Sequence, residues 1–334
     1  MKPLFLLIFT ILIDSFSLEA QEGVIMTVRG PIPSSEMGLT LIHEHVLVDF
    51  IGADKTGSHR WNRQEVIPVV LPFLEQAKGQ GVKTIVECTP AYIGRDPLLL
   101  KELSEATGIH LITNTGYYGA SDDKYLPQHA YSETADQLAA RWFEEWEEGI
   151  DGTGIRPGFI KIGVNAGSLS VLHTKLIRAA ALTHLQTGLT IASHTGPGLP
   201  AFEQLNLLEK EGVSAEAFIW VHAQGEKSLQ RHVDAAQAGA WVSLDGLSDS
   251  NQDEYLKMLK NLKNNGFLNK TLISHDAGWY SPGEENGGEI RGYTVLPEKF
   301  VPLLLREGFT QEDIRQLLVV NPQKVMEIRV RTKD

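Results

Sequence analysis

From residue 40 onward the apolar positions switch between two periods. Short runs rich in β-branched and aromatic residues recur eight times: TLIHEHVLV from Thr40, VKTIVEC from Val82, IHLITNT from Ile109, GFIKIG from Gly158, LTIASH from Leu189, AFIWVH from Ala217, AWVSL from Ala240 and TLISHD from Thr271. Such runs, bounded by turn residues, read as strands. Between them lie stretches of helical length and period at 64–79, 97–107, 133–148, 171–187, 200–211, 226–238 and 252–265. Local punctuation agrees. Asp96, Pro97 and Gly108 stand where an N-cap, a first-turn proline and a C-terminal glycine belong. Thr310 with Asp313 reads as a capping box, and Asn321 before Pro322 as a second cap followed by proline. Eight strands alternating with helices predict a (β/α)8 barrel of the TIM type, with an open doubly wound sheet as the runner-up.

The first twenty residues break this pattern. Lys2, an apolar stretch from Leu4 to Ile13, then small and polar residues to Ala20 follow the order of a secretory signal peptide, and the stretch is too short to span a bilayer. Residues 1–20 are therefore expected to be a leader and the product to be periplasmic or secreted. No repeat, low-complexity tract or charge block divides the remainder, so one domain is expected over 21–334.

Composition narrows the partners. A net charge of −12 with no Lys/Arg cluster argues against nucleic acid, and a hydrophobic share of 42% supplies a sizeable core. The only cysteine, Cys88, rules out an intrachain disulfide and reads as a small buried hydrophobe.

The chemistry concentrates at strand ends. His43 and His45, two residues apart in a strand, are expected to share one face, with Ile42 and Glu44 on the other. Two converging imidazoles suit a metal ion. His194, His222 and Asp276 close strands five, six and eight, and the carboxyl ends of barrel strands are where such folds carry their sites. His173, His184 and His232 fall in helical stretches and are expected to be solvated. Lys161, between Ile160 and Ile162, should face the barrel interior, where burial disfavours an ammonium ion. A neutral amine there can add carbon dioxide and become a carbamate able to bridge two cations. The alternative is an ion pair with a buried carboxylate such as Asp276.

HEH at 43–45, GRD at 94–96, FIKIG around Lys161, SHTG at 193–196, His222, SHDAGW at 274–279 and NP at 321, in this strand order, resemble the phosphotriesterase family of the amidohydrolase superfamily. The resemblance runs from Gly23 to about Met326. It implies a binuclear centre of two divalent ions, zinc foremost with manganese or cobalt as alternatives. His43, His45 and Asp276 would hold the more buried ion, His194 and His222 the more exposed one, and N6-carboxylated Lys161 would bridge them. A hydroxide shared by the two ions would attack an ester bond, with Asp276 accepting its proton. Asp276 and Lys161 are thus the catalytic candidates, while His275 should point away from the ions. A homodimer is also implied by the resemblance.

Substrate choice should rest on two long loops, GYYGASDDKYLPQHAY after strand three and AGWYSPGEENGGEIRGYTVLPEKF after strand eight, whose glycines and aromatics suit a mobile lid. Tyr118 maps to the tyrosine that approaches the hydroxide in lactonases of the family, with Tyr117 one register away. Trp279, Tyr280, Arg291 and Tyr293 are the other pocket candidates. Gly246 stands where several family lactonases carry an arginine, which weakens acyl-homoserine lactones as substrates and is expected to open space for another. A small lactone or carboxylic ester is favoured. An organophosphate triester, a mononuclear amidase or deaminase of the same superfamily, and a metal-free binding barrel are the alternatives.

Overall fold

The computed structural model describes residues 22–333, so the expected leader lies outside the described residues. A short antiparallel hairpin, Val24–Thr27 against Gly30–Pro33, comes first. Its second arm holds Pro31 and Pro33, which hid it in the sequence because proline is tolerated only in edge strands.

The alternation then follows. Strands β1 Thr40–Glu44, β2 Thr84–Glu87, β3 His110–Ile112 continuing as Asn114–Thr115, β4 Phe159–Gly163, β5 Ile191–His194, β6 Phe218–Val221, β7 Trp241–Asp245 and β8 Thr271–Ser274 coincide with the eight expected runs. Each pairs in parallel with the next. Helices α1 Arg63–Gly79, α2 Pro97–Thr107, α3 Ala135–Glu148, α4 Val171–Thr187, α5 Gly198–Lys210, α6 Leu229–Gln237, α7 Gln252–Asn264 and α8 Val301–Arg306 fill the crossovers and follow β8. A five-residue helix, Gln128–Ser132, and a helical turn at Leu296–Phe300 sit inside segments read as loops.

The ladder has two seams. Strand β3 is shared between a three-stranded and a six-stranded sheet, divided at Thr113. Just past β8, the Asp276 amide donates to the His43 carbonyl at 3.0 Å and the His45 amide to the Ala277 carbonyl at 2.8 Å, tying β8 to β1 without a continuous ladder. Every strand contributes to one buried apolar cluster that includes Ile42, Val86, Ile112, Phe159, Ala192, Ile219, Trp241 and Leu272. Ile25 and Met37, with Val325 and Met326, belong to it as well. Alternate residues such as Ile85, Ile160, Ile162 and Ile273 join the larger cluster formed with the helices. The period of two thus separates an inner face from an outer one.

Several local readings need correction. Between Leu41 and Glu44 the register against β2 shifts, so that Ile42 and His43 together oppose Val86. This β-bulge breaks the expected alternation: Ile42 joins the inner cluster, yet His43 also reaches the interior beside Lys161. Asn321 is no cap, because helix continues through it from Gln316–Val320 into Asn321–Met326. Its amide instead donates to the carbonyls of Leu268 and Thr271 at 2.8 and 2.6 Å. His173, His184 and His232 are buried rather than solvated. Each has found a backbone carbonyl for a ring nitrogen, at Gly119, Leu189 and Ala223 respectively, which offsets part of the penalty for burying an imidazole. The other local readings hold: Asp96 accepts from the Leu99 amide and Gly108 is left-handed, and Thr310 and Asp313 form both bonds of a capping box.

Candidate metal centre

Six polar side chains from five strands and their carboxyl ends meet at one cavity of about 70 Å³, lined by His43, His45, Lys161, His194, His222 and Asp276 together with Cys88, Phe50, Pro90, Ile93, Tyr118 and Trp279. That volume is room for a few atoms of water size or for small ions, with little to spare. The Nε2 atom of His45 lies 3.0 Å and that of His43 3.7 Å from Oδ1 of Asp276, and one ligand atom from each of the three lies within 4.8 Å of the others. The rings of His194 and His222 are 4.4 Å apart, and that of His222 is 5.0 Å from His43. Nζ of Lys161 is 3.4 Å from Nε2 of His43. Lys161 is only 2% exposed. Among the described residues no carboxylate lies within ion-pair distance of its amine, so the Asp276 pairing considered from sequence is not formed.

Backbone geometry aims these groups. His222 and Asp276 both adopt left-handed φ, 60° and 54°, which turns each chain sharply off its strand end. His222 is held by Asp245, whose Oδ2 accepts from its amide at 2.7 Å and lies 3.3 Å from its Nδ1. The turn that carries Asp276 is held by Glu44, fully buried, which accepts from the flanking Ser274 Oγ, His275 amide, His275 Nδ1 and Ala277 amide at 2.6–3.1 Å. His275 therefore faces away from the centre, as expected, and its Nε2 accepts from the Leu296 amide at 2.8 Å. Nδ1 of His45 pairs with Thr89 Oγ1 at 2.8 Å, and that hydroxyl bonds Glu87. The sequence reading missed Asp245, Glu44 and Thr89. Asp245 could have been found, since it closes strand seven by the same positional rule that picked out the histidines; the other two carry no such signal.

Protonation suits cation binding. Burial, then the Lys161 charge and neighbouring imidazoles, holds His43 well below the usual imidazole range. Burial, followed by His222 and Lys161, does the same for His194. Neutral imidazole is the form that ligates metal. Asp276 is pushed up by burial, but the hydrogen bond and charge of His45 outweigh this and leave it below its ordinary value. Burial pushes the Cys88 thiol up, so no thiolate nucleophile forms there.

The loop candidates separate. Tyr118 lines the cavity, its hydroxyl 3.2 Å from Nδ1 of His194, whereas Tyr117 turns into the helical layer and meets His129 at 3.0 Å. Trp279 lines the cavity edge-on to His45 at 5.8 Å. Tyr280 and Arg291 do not line it. Tyr280 pairs through its backbone with Val46 and Val48, and Arg291 stacks its guanidinium 4.8 Å from the Trp279 ring. Tyr293 is buried and donates to the His45 carbonyl at 2.7 Å. Position 246 is not open space: a Cβ on Gly246, at φ +135°, would lie 2.9 Å from Tyr255 Oη and 3.0 Å from Gln224 Nε2.

A model described as the phosphotriesterase family matches residues 23–326. The chain is 32% identical over 291 residues to a phosphotriesterase homology protein of Escherichia coli, covering 86% of this chain and 97% of that one. It is 29% identical over 311 residues to an aryldialkylphosphatase of Saccharolobus solfataricus, with 89% and 97% covered. It is 25% identical over 353 residues to an N-acetyltaurine hydrolase of Xenopus tropicalis, with 92% and 99% covered.

Proposed function

This chain belongs to the phosphotriesterase family and is a metal-dependent hydrolase of that family, and from that premise we propose that it holds two divalent ions and cleaves a small lactone or carboxylic ester. The proposal includes a closed (β/α)8 barrel of the amidohydrolase type over 21–334, removal of residues 1–20 on export, and a homodimer. The single observation that carries the binuclear reading is Lys161: an almost fully buried amine with no carboxylate partner among the described residues, 3.4 Å from Nε2 of His43 and sharing its cavity with His45, His194, His222 and Asp276.

The donor set fits such ions. His43, His45 and Asp276 supply three ligand atoms within reach of one cation, and His194 and His222 face the same cavity. Carboxylation of Lys161 would replace a cationic group by two oxygens suited to zinc, manganese or cobalt. When bound, the ions would supply Lewis acidity and a hydroxide nucleophile near neutral pH.

The chain's own groups do the rest. Asp276, kept ionised by His45 and placed by the bonds of Glu44 to the flanking Ser274, His275 and Ala277, accepts the proton released on attack. Tyr118, whose phenol burial keeps protonated, offers its hydroxyl as a donor beside His194. Phe50 and Trp279, in contact at 5.4 Å, close the apolar side and exclude water. Gly246 supports an ester or lactone other than acyl-homoserine lactones, because the arginine that several family lactonases carry at this place is missing. The relative named aryldialkylphosphatase keeps a phosphate triester as the alternative substrate. A mononuclear amidase has no use for a bridge at Lys161.

The decisive experiment combines elemental analysis with kinetics. About two ions per chain are expected in the wild type. Lys161→Ala should bind about one or none and lose about 100-fold or more in kcat/KM, on the scale of losing a transition-state contact worth about 3 kcal/mol, with partial rescue by short carboxylates. Unchanged metal content and turnover in that variant would end the binuclear reading.

A further inference from the structure

The segment after β8 is pinned at both ends. Gly278 and Arg291 pair as an antiparallel bridge, each amide donating to the other's carbonyl at 2.9 and 3.0 Å. That pairing carries the Arg291 side chain back over the site. Its guanidinium stacks 4.8 Å from the centre of the Trp279 ring, which lines the cavity, and donates to the backbone carbonyl of Asp276.

Two features of this arrangement are costly without a ligand. Trp279 has φ +79°, a left-handed conformation that a bulky residue adopts only when its surroundings force it, at about 1–3 kcal/mol. Its buried indole N–H has no hydrogen-bond partner among the described residues, although a buried donor normally finds one. Arg291 itself is exposed, and among the described residues no carboxylate lies within ion-pair distance of it. Of the nearby cations, Arg60 is paired with Asp49 at 3.0 Å. Lys124, like Arg291, donates to a backbone carbonyl, that of Phe50 at 3.0 Å, but it lies over Tyr125, which does not line the cavity. Beyond the six ligand-type side chains the cavity is walled by Phe50, Cys88, Pro90, Ile93, Tyr118 and Trp279, and Arg291 is the cation stacked on one of these, at the rim.

We propose that the substrate carries an anionic group, a carboxylate or sulfonate, at the end remote from the scissile bond. Arg291 receives that group by a charge-assisted, two-donor contact, and Trp279 forms the apolar wall between it and the ions while offering its indole N–H to a substrate oxygen. This inference rests on the hydrolase reading above and adds the substrate's charge.

The test compares two probe esters of equal length on the metal-loaded enzyme, 4-nitrophenyl butanoate and the 4-nitrophenyl monoester of succinic acid, in wild type, Arg291→Gln and Arg291→Lys. The readout is the ratio of kcat/KM for the anionic ester to that for the neutral one. Succinate as a competitive inhibitor supplies a readout of binding alone. The wild type should favour the anionic ester. Arg291→Gln should lower the ratio at least tenfold, mainly through KM, and weaken succinate inhibition in parallel. Arg291→Lys should restore part of both. A ratio within twofold of wild type in Arg291→Gln overturns the proposal while leaving the hydrolase reading intact. Absence of turnover on either ester in a verified two-ion enzyme would instead count against the ester reading; succinate inhibition that is weak in the wild type, or unchanged in Arg291→Gln, would then overturn this one.

Discussion

Gly278 shows how tightly single residues are bound to this site. A Cβ there would lie 1.8 Å from the His45 carbonyl oxygen and 2.4 Å from Tyr293 Oη, at φ +95°. No side-chain adjustment relieves a contact with backbone, so Gly278→Ala should destabilise the metal-free protein by at least about 3 kcal/mol. A urea titration that returned an unchanged midpoint would contradict this. Gly116 meets the same constraint, with the Lys161 carbonyl 2.3 Å from a would-be Cβ. Both glycines lie against the backbone of a candidate ligand. Such positions are invisible in sequence, because a glycine in a turn and a glycine against a neighbouring strand look the same.

Among the elements, the C-terminal strap, residues 328–333, is expected to respond to acid. His184, in α4, is buried with Nδ1 at 2.8 Å from the Leu189 carbonyl and Nε2 accepting from the Arg331 amide at 2.9 Å. The strap continues through Arg329 to the Gly188 carbonyl and through Lys333 to the Gly212 carbonyl. Burial, with the Arg331 charge, lowers the His184 pKa; burial also pushes the Arg331 guanidinium down to about 10, still charged at neutral pH. The fold thus favours neutral His184. Its contribution is complete above the unfolded imidazole value of about 6.5 and disappears as pH falls through the lower folded value. Hydrogen exchange at 328–333, corrected for the intrinsic rate, should therefore accelerate between about pH 7.5 and pH 5.5. Constant protection over that range would show that the contact is not coupled to the strap.

For the whole molecule, ions held by side chains from several strands, as proposed above, would act as cross-links at one end of the sheet. Ligands that bind the folded chain alone stabilise it by about 2.7 kcal/mol per site at a hundredfold excess over Kd. Chelation of a two-ion enzyme should lower Tm by roughly 10 °C for a chain of this size, reversibly on adding zinc or manganese. A calorimetric scan without a shift, on protein shown to have lost its ions, would mean that the side chains hold their positions unaided. Glu44 and Asp245 make that outcome a real contest, since both brace the ligands through the backbone.

The order of strands and helices, the caps at Asp96 and Thr310, and the residues that meet at the cavity were legible in the linear pattern. Each depends on periodicity or on local hydrogen bonding within a few residues, and neither needs knowledge of distant contacts. Tertiary structure decided the rest. The bulge that turns both Ile42 and His43 inward arises from pairing with β2. The burial of His173, His184 and His232 depends on which carbonyls come within reach, and the crowding at Gly246 on side chains 22 and 9 positions away, Gln224 and Tyr255. Alternation tells a strand which face is apolar. Only packing against other strands tells it where that rule is broken, and here it is broken at the candidate metal centre.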